Sequence, residues 1–173
     1  MQVLDAIQRR YSVRGYTEEK LTKSELDALL TAGLMAPTAT NRQEIHFTVL
    51  DGSSDIVKEI ETERIGVNVS APANFYYNAP TVILLSAEAA FGWSEVDAGI
   101  AVENIALAAE GMGLGSVIIG CIKGALNGDK KEYFAKKLAF PKGYEFKIAI
   151  AVGHKNAEKA PHNYNFEKSV SII

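Results

Sequence analysis

The chain has 173 residues, 47% of them hydrophobic and 23% charged, enough to bury roughly two-thirds of its unfolded surface in one domain, which excludes disorder. Eighteen Lys and Arg against 21 Asp and Glu leave a formal charge of −3, so a general nucleic-acid binder is excluded. The single cysteine, Cys121, rules out an intrachain disulfide, a CxxC pair and any centre built on several thiolates, and points to a reducing compartment.

Val3, Leu4, Ile7 and Tyr11 fall at three- and four-residue spacings, which predicts a short amphipathic helix over residues 2 to 10. Arg9 and Arg10 stand at its end, where cations suit the helix dipole. Thr22-Lys23-Ser24-Glu25 reads as a capping box. It opens a helix whose apolar face is Leu26, Leu29, Leu30, Gly33 and Leu34 and which stops at Ala36-Pro37. Residues 37 to 45 are polar and aperiodic, and His46-Phe47-Thr48-Val49-Leu50 before Asp51-Gly52 reads as a strand and turn. Residues 55 to 65 read as a charged surface helix with Ile56, Ile60 and Ile65 inward, and residues 66 to 80 as an aromatic loop.

Thr81-Val82-Ile83-Leu84-Leu85 is a continuous apolar run too short for a helix of its own, so it is expected as a central strand covered on both faces. From Glu95 to Met112 helix formers carry Val96, Ile100, Val102, Ile105 and Leu107 on nearly every side. Such a helix must be buried all round, and a subunit interface is the economical way to cover it, so a homodimer is expected. Gly113-Leu114-Gly115 ends that helix and Ser116 to Gly120 supplies a second buried strand. A polar helix follows at about 127 to 139, and Tyr144 to Val152 is the last core strand. The terminal Val170, Ile172 and Ile173 form a minimal alternating strand that a partner's sheet edge could take up. These elements make one α+β domain over residues 1–173, with a mixed sheet flanked by helices. No leader-like amino end and no run of membrane-spanning length occurs, so a cytoplasmic location without membrane contact is expected.

No GxxxxGK[ST], HExxH or GxSxG is present, and His46, His154 and His162 are too scattered for a metal site on one element. The glycines at 111, 113, 115 and 120 do not form a dinucleotide fingerprint, which must follow a strand and open a helix; here the order is reversed. Arg9-Arg10-Tyr11-Ser12-Val13-Arg14 places three guanidinium groups and a hydroxyl in six residues, donors suited to a phosphate. Taken alone, a solvated basic turn pairing with Glu18 and Glu19 accounts for the segment more simply. The hydroxyls and amides of residues 37 to 43 could cradle a polar ligand or satisfy a turn, and alone the turn is the better account.

Together, RRYSVRGY at 9 to 16, APTATNRQ at 36 to 43, NAP at 78 to 80, DAGIAVENIALAAEGMGLGS at 97 to 116 and AVGH at 151 to 154 resemble the flavin-dependent nitroreductase family over nearly the whole chain. The resemblance implies an intertwined homodimer with an exchanged C-terminal arm and two FMN molecules at the subunit interface. It also implies NADH or NADPH as reductant and nitroaromatics, quinones or similar acceptors as substrates. By that similarity Arg10, Tyr11 and Ser12 hold the phosphate and ribityl end, and Arg14 lies by the pyrimidine edge. Thr38, Thr40, Asn41 and Gln43 reach the flavin from the opposite subunit, and Ile119 and Gly120 offer backbone donors near N5. A cation suits the negative charge that reduction places on the ring, and the cofactor carries the hydride chemistry, so no side chain is assigned as acid or base.

Where many relatives have Gln-Pro-Trp, this chain has Gln43-Glu44-Ile45. The family's cationic tail residue has Lys155, Lys159 and His162 as alternatives, with Lys159 preferred. Phe75, Tyr76 and Tyr77 are candidates for the wall of the substrate pocket or for core packing. Cys121 is expected as a core thiol and Trp93 as an interface or core anchor. The alternative functional reading is a flavin carrier or sensor without efficient turnover, or another flavin chemistry on the same scaffold.

Overall fold

The computed structural model describes residues 2–67, 73–160 and 163–173. Helix α1 spans Val3–Arg9 and α2 Lys23–Leu34, the latter opened by the expected capping box. The Thr22 hydroxyl accepts the Glu25 N–H at 3.3 Å and the Glu25 carboxylate accepts the Thr22 N–H at 2.8 Å. Strand β1 is His46–Asp51, α3 Asp55–Val67, β2 Thr81–Glu88, α4 Ser94–Gly111 and β3 Gly115–Ile119. Short helices α5, Lys123–Asn127, and α6, Lys131–Lys137, precede β4, Tyr144–Gly153, and α7, Phe166–Ser169.

The strands form one antiparallel sheet in the order β1-β2-β4-β3. A parallel bridge between Ser12 and Ser116 adds the N-terminal segment at the β3 edge and makes the pairing mixed there. Alternation along β2 explains why its apolar run has no polar face. Val82 and Leu84 point to a core with Ile60 of α3, Leu126 of α5 and Phe134 of α6, while Ile83 and Leu85 point to one with Leu29 of α2 and Ile105 of α4. All four β2 residues are fully buried, each contributing about 1.5–3 kcal/mol by burial. Gly33 lets α2 approach closely, since a Cβ there would stand 2.9 Å from Phe47 Cε1 and 3.0 Å from Ile105 Cδ1.

Three expectations are corrected. In α3 the inward positions are Val57, Ile60 and Arg64, spaced three and four apart on one face, whereas Ile65 is turned outward. Burying Arg64 is tolerable because it makes a bidentate pair with Glu61 at 3.0 and 2.7 Å. The polar helix expected at about 127 to 139 is shorter, α6 at Lys131–Lys137, and the short helix α5 that precedes it is unexpected. Asn127 turns to β4, donating to the Phe146 carbonyl at 2.9 Å and accepting its N–H at 3.1 Å, beside the register shift at Leu85/Ser86. Cys121 is exposed, because the chain leaves the sheet after Ile119 and Ile122 takes the buried position. In the single chain α4 leaves Val96 49% and Ile100 37% exposed, the apolar surface for which a subunit interface is expected. Trp93, just before it, is 58% exposed, so it is no core anchor. After α7 the terminal residues are extended at Val170 and unpaired in the single chain. No helix among the described residues is long and apolar enough to cross a membrane.

Candidate functional site

Leaving α1, the chain runs along β3. The Val13 N–H donates to the Ser116 carbonyl at 2.9 Å, Val13 is buried, and Arg14 is exposed. Parallel pairing carries Ser12 to Arg14 in the same direction as Ser116 to Ile119, so the basic segment runs toward the end of β3. The segment is fastened from behind. Tyr16, buried, donates its hydroxyl to the Val13 carbonyl at 3.0 Å, and burial holds that phenol protonated far above its usual range. Tyr16 also bridges to Lys155.

Arg9 and Arg10 are paired with α4 rather than with Glu18 and Glu19. Arg10 Nε lies 3.2 Å from Glu103 Oε1, and Arg9 Nε lies 3.6 Å from Glu110 Oε1. Glu110, 4% exposed, also meets Lys155 Nζ at 3.5 Å. Lys155 stands 5.5 Å from the centre of the Tyr11 ring, whose hydroxyl donates to the Ala157 carbonyl at 2.7 Å. Arg9, Tyr11, Glu110, Lys155, Glu158 and Lys159 thus line one cleft of about 280 Å³. His162 lies outside the described residues. Arg14 sits 5.7 Å from the centre of the Tyr77 ring, while Phe75 is core, 4% exposed and edge-on to Tyr76. At the end of β3, Ile119 is buried and Gly120 exposed. A Cβ on Gly120 would meet only Ile148 Cδ1, at 3.6 Å, so the missing side chain leaves a surface that a flat ring could approach.

Thr38, Thr40, Asn41 and Gln43 form a second cluster. The Thr38 hydroxyl accepts the Gln43 N–H at 2.9 Å, and Thr40, Asn41 and Gln43 all have positive φ, at 54°, 55° and 54°. Such conformations cost of order 1–3 kcal/mol each for a strained residue and persist only where the surroundings impose them. Here the Ala39 N–H donates to both Asp97 oxygens, at 3.1 and 3.0 Å. Arg42 pairs with Glu88 and stands 4.2 Å from the centre of the Phe91 ring. The side chains of Thr40, Asn41 and Gln43 are left exposed.

The two clusters do not meet within one chain. Both hang on α4, but Glu103 and Glu110 follow Asp97 by six and thirteen residues, which puts them roughly 240° and 220° around the helix and ~9 and ~20 Å along it. One cluster belongs to the β3 edge, and the other leads into β1 at the opposite edge. The second cluster opens on an apolar groove of about 620 Å³, where Thr38 and Thr40 meet Phe91, Trp93, Val96 and Ile100. Sequence reasoning did not single out Glu103, Glu110, Glu88 or the buried Glu44–Asp97 neighbourhood. The signal available was the series of acids on an otherwise apolar helix.

Residues 7–154 match the nitroreductase family. Among relatives, a Methanothermobacter thermautotrophicus protein with the provisional name NADH dehydrogenase/NAD(P)H nitroreductase is 31% identical over 124 residues, 69% of this chain and 61% of that protein. The FMN reductase [NAD(P)H] of Bacillus subtilis is 26% identical over 176 residues, 88% of this chain and 66% of that protein. This chain therefore spans less than two thirds of the length of either relative. A nitroreductase with bound FMN from Desulfitobacterium hafniense superposes with a TM-score of 0.90 at 28% identity, covering 100% of this chain and 99% of that one. With the family match running from α1 to the end of β4, the chain belongs to the nitroreductase family.

Proposed function

We propose that the protein is an FMN-dependent NAD(P)H oxidoreductase that works as a homodimer and reduces nitroaromatics, quinones or related acceptors by a ping-pong cycle. The observation that carries this reading is the segment Arg10-Tyr11-Ser12-Val13-Arg14, held against β3 with its cations on the outside. The donor set fits a flavin mononucleotide: guanidinium forks and a hydroxyl for a phosphate and its polyol, a cation at one end of the segment, and an open glycine for a planar ring.

Arg10 and Ser12 bind the phosphate end, with Tyr11 holding the tail through Ala157. Lys159, on the same cleft, adds a cation. Arg14 holds positive charge toward the pyrimidine edge, and the backbone at Ile119 and Gly120 closes on the side where hydride arrives. Thr38, Thr40, Asn41 and Gln43 come from the partner subunit, since one chain keeps them on the far face of α4. The strain of that loop pre-organises its exposed amides and hydroxyls. Bound FMN supplies the hydride acceptance and donation, so the chain's task is orientation, charge and exclusion of water.

Purified protein should be yellow with one FMN per chain and should elute as a dimer. Anaerobic stopped-flow mixing with NADH or NADPH should bleach the flavin band rapidly, and an added quinone or nitroaromatic should restore it. Persistent colour would favour a carrier or sensor, and a colourless monomer that ignores added FMN would overturn the reading.

A further inference from the structure

Glu44 follows directly on the Thr38–Gln43 loop and turns inward where Thr40 to Gln43 turn out; it is 8% exposed. Both its carboxyl oxygens are buried and neither receives a hydrogen bond of normal geometry from a described residue. The side chain that acts on it by hydrogen bonding and charge is Asp97, itself 2% exposed, whose oxygens both accept the Ala39 N–H. Two neighbouring carboxyl groups shielded from water are costly to ionise together, and the usual resolution is one proton shared by the pair.

The charged groups acting on Glu44 are Asp97 from α4 and Arg42 from its own loop. Arg42 is engaged by Glu88 at the end of β2. Burial pushes the Glu44 carboxyl above the usual range. Hydrogen bonding and charge from Asp97 add to this, against the pull of Glu44's own backbone N–H and of Arg42.

We propose that Glu44 is a positioning residue whose carboxylic O–H donates to Asp97, so that one carboxylate clamps both ends of the loop, Ala39 at its start and Glu44 after its end. Resting on the reading that this loop meets the partner's flavin, the clamp also sets flavin affinity. Because Glu44 ionises at a higher pH in the folded chain than in the unfolded one, its contribution is full at acidic pH and is lost as pH rises through the folded value.

The test uses the full chain and its Glu44→Gln and Glu44→Ala variants from mildly acidic to mildly alkaline pH. Three quantities are read: the infrared carbonyl band of a protonated carboxyl in the flavin-free protein, deuterium exchange of the peptide containing Ala39 corrected for intrinsic rates, and FMN affinity by fluorescence titration. The wild type should show the band, and both Ala39 protection and FMN affinity should fall roughly tenfold as pH rises, the size of one lost hydrogen bond. Glu44→Gln should lose the band and hold protection flat, since its amide donates to Asp97 at every pH. Glu44→Ala should lose protection throughout.

A band that survives in Glu44→Gln, or a pH slope in that variant equal to the wild type's, overturns the clamp even if FMN binds normally. Loop protection that follows the clamp while FMN affinity does not overturns the loop's flavin contact and leaves the clamp standing.

Discussion

Replacing Arg10 by alanine separates a ligand-binding role from a structural one. The Arg10 side chain is 24% exposed and its Nε lies 3.2 Å from Glu103, which is itself 43% exposed. A pair with one half-solvated partner contributes about 0–1 kcal/mol. At about 2–4 °C per kcal/mol for a chain of this size, the flavin-free protein should therefore melt no more than ~4 °C lower. A guanidinium hydrogen-bonded to a phosphate contributes more, about 1.5–3 kcal/mol, so FMN affinity should weaken about 10- to 150-fold. Arg10→Lys should recover only part of this, because an ammonium keeps the charge without the fork. The assay is quenching of FMN fluorescence by flavin-free protein, read beside a thermal melt of the same sample. An affinity within about twofold of wild type would refute the phosphate role, since even one charge-assisted bond exceeds that. An affinity loss accompanied by a collapse in melting temperature would instead assign Arg10 to the fold.

In Gly153→Ala the new Cβ would lie 2.5 Å from Pro80 Cδ and 3.1 Å from Tyr16 Cδ1, an overpacking that should cost about 1–3 kcal/mol; an unchanged melting midpoint would contradict that crowding. Thr22→Ala removes the hydroxyl of the α2 cap and should cost about 1 kcal/mol. The Thr22 N–H and hydroxyl hold the Glu25 carboxyl below its ordinary range, so their contribution is present above that range and lost as pH falls through the folded value; urea midpoints against pH should show a smaller acid loss in the variant. Val96→Arg places a charge on the exposed Trp93, Val96 and Ile100 stripe and, if the proposed dimer uses that stripe, should give a folded monomer on size exclusion; a dimer that survives would place the subunit contact elsewhere.

Elements whose signal is local were legible. The Thr22–Glu25 box and the run from Thr81 to Leu85 lie where their residues put them, because a cap needs only three neighbours and an apolar run only a covering layer. Gly113, at φ +80°, ends α4 as its lack of a Cβ permits. Features set by distant partners were not legible. Asn127 ends α5, its side chain taken up by Phe146 of β4, and Glu61, the partner of buried Arg64, is held by the N–H groups of Asn74 and Phe75 beyond the helix. Within the site, the motifs marked Arg10, Ser12, Arg14 and the Thr38–Gln43 loop, but not their anchors. A glutamate in sequence looks solvated until Asp97 is seen beside it.

Those anchors explain why a helix as apolar as α4 carries acids at all. Burying Asp97 and Glu110 among alanines, valines and isoleucines would be prohibitive unless each were paired. Each acid fastens one part of the site to the same rigid rod: Asp97 the loop, Glu103 Arg10, and Glu110 both Arg9 and Lys155. The acids also tune the charge. Around the β3-side cluster, Arg9, Arg10, Arg14, Lys155 and Lys159 stand against Glu103, Glu110 and Glu158, a surplus of two positive charges. A phosphate monoester carries roughly 1.5 to 2 negative charges at neutral pH. Under the proposed function that surplus matches the charge of one bound phosphate, which gives a chain of net negative charge a reason to keep so many cations in one place.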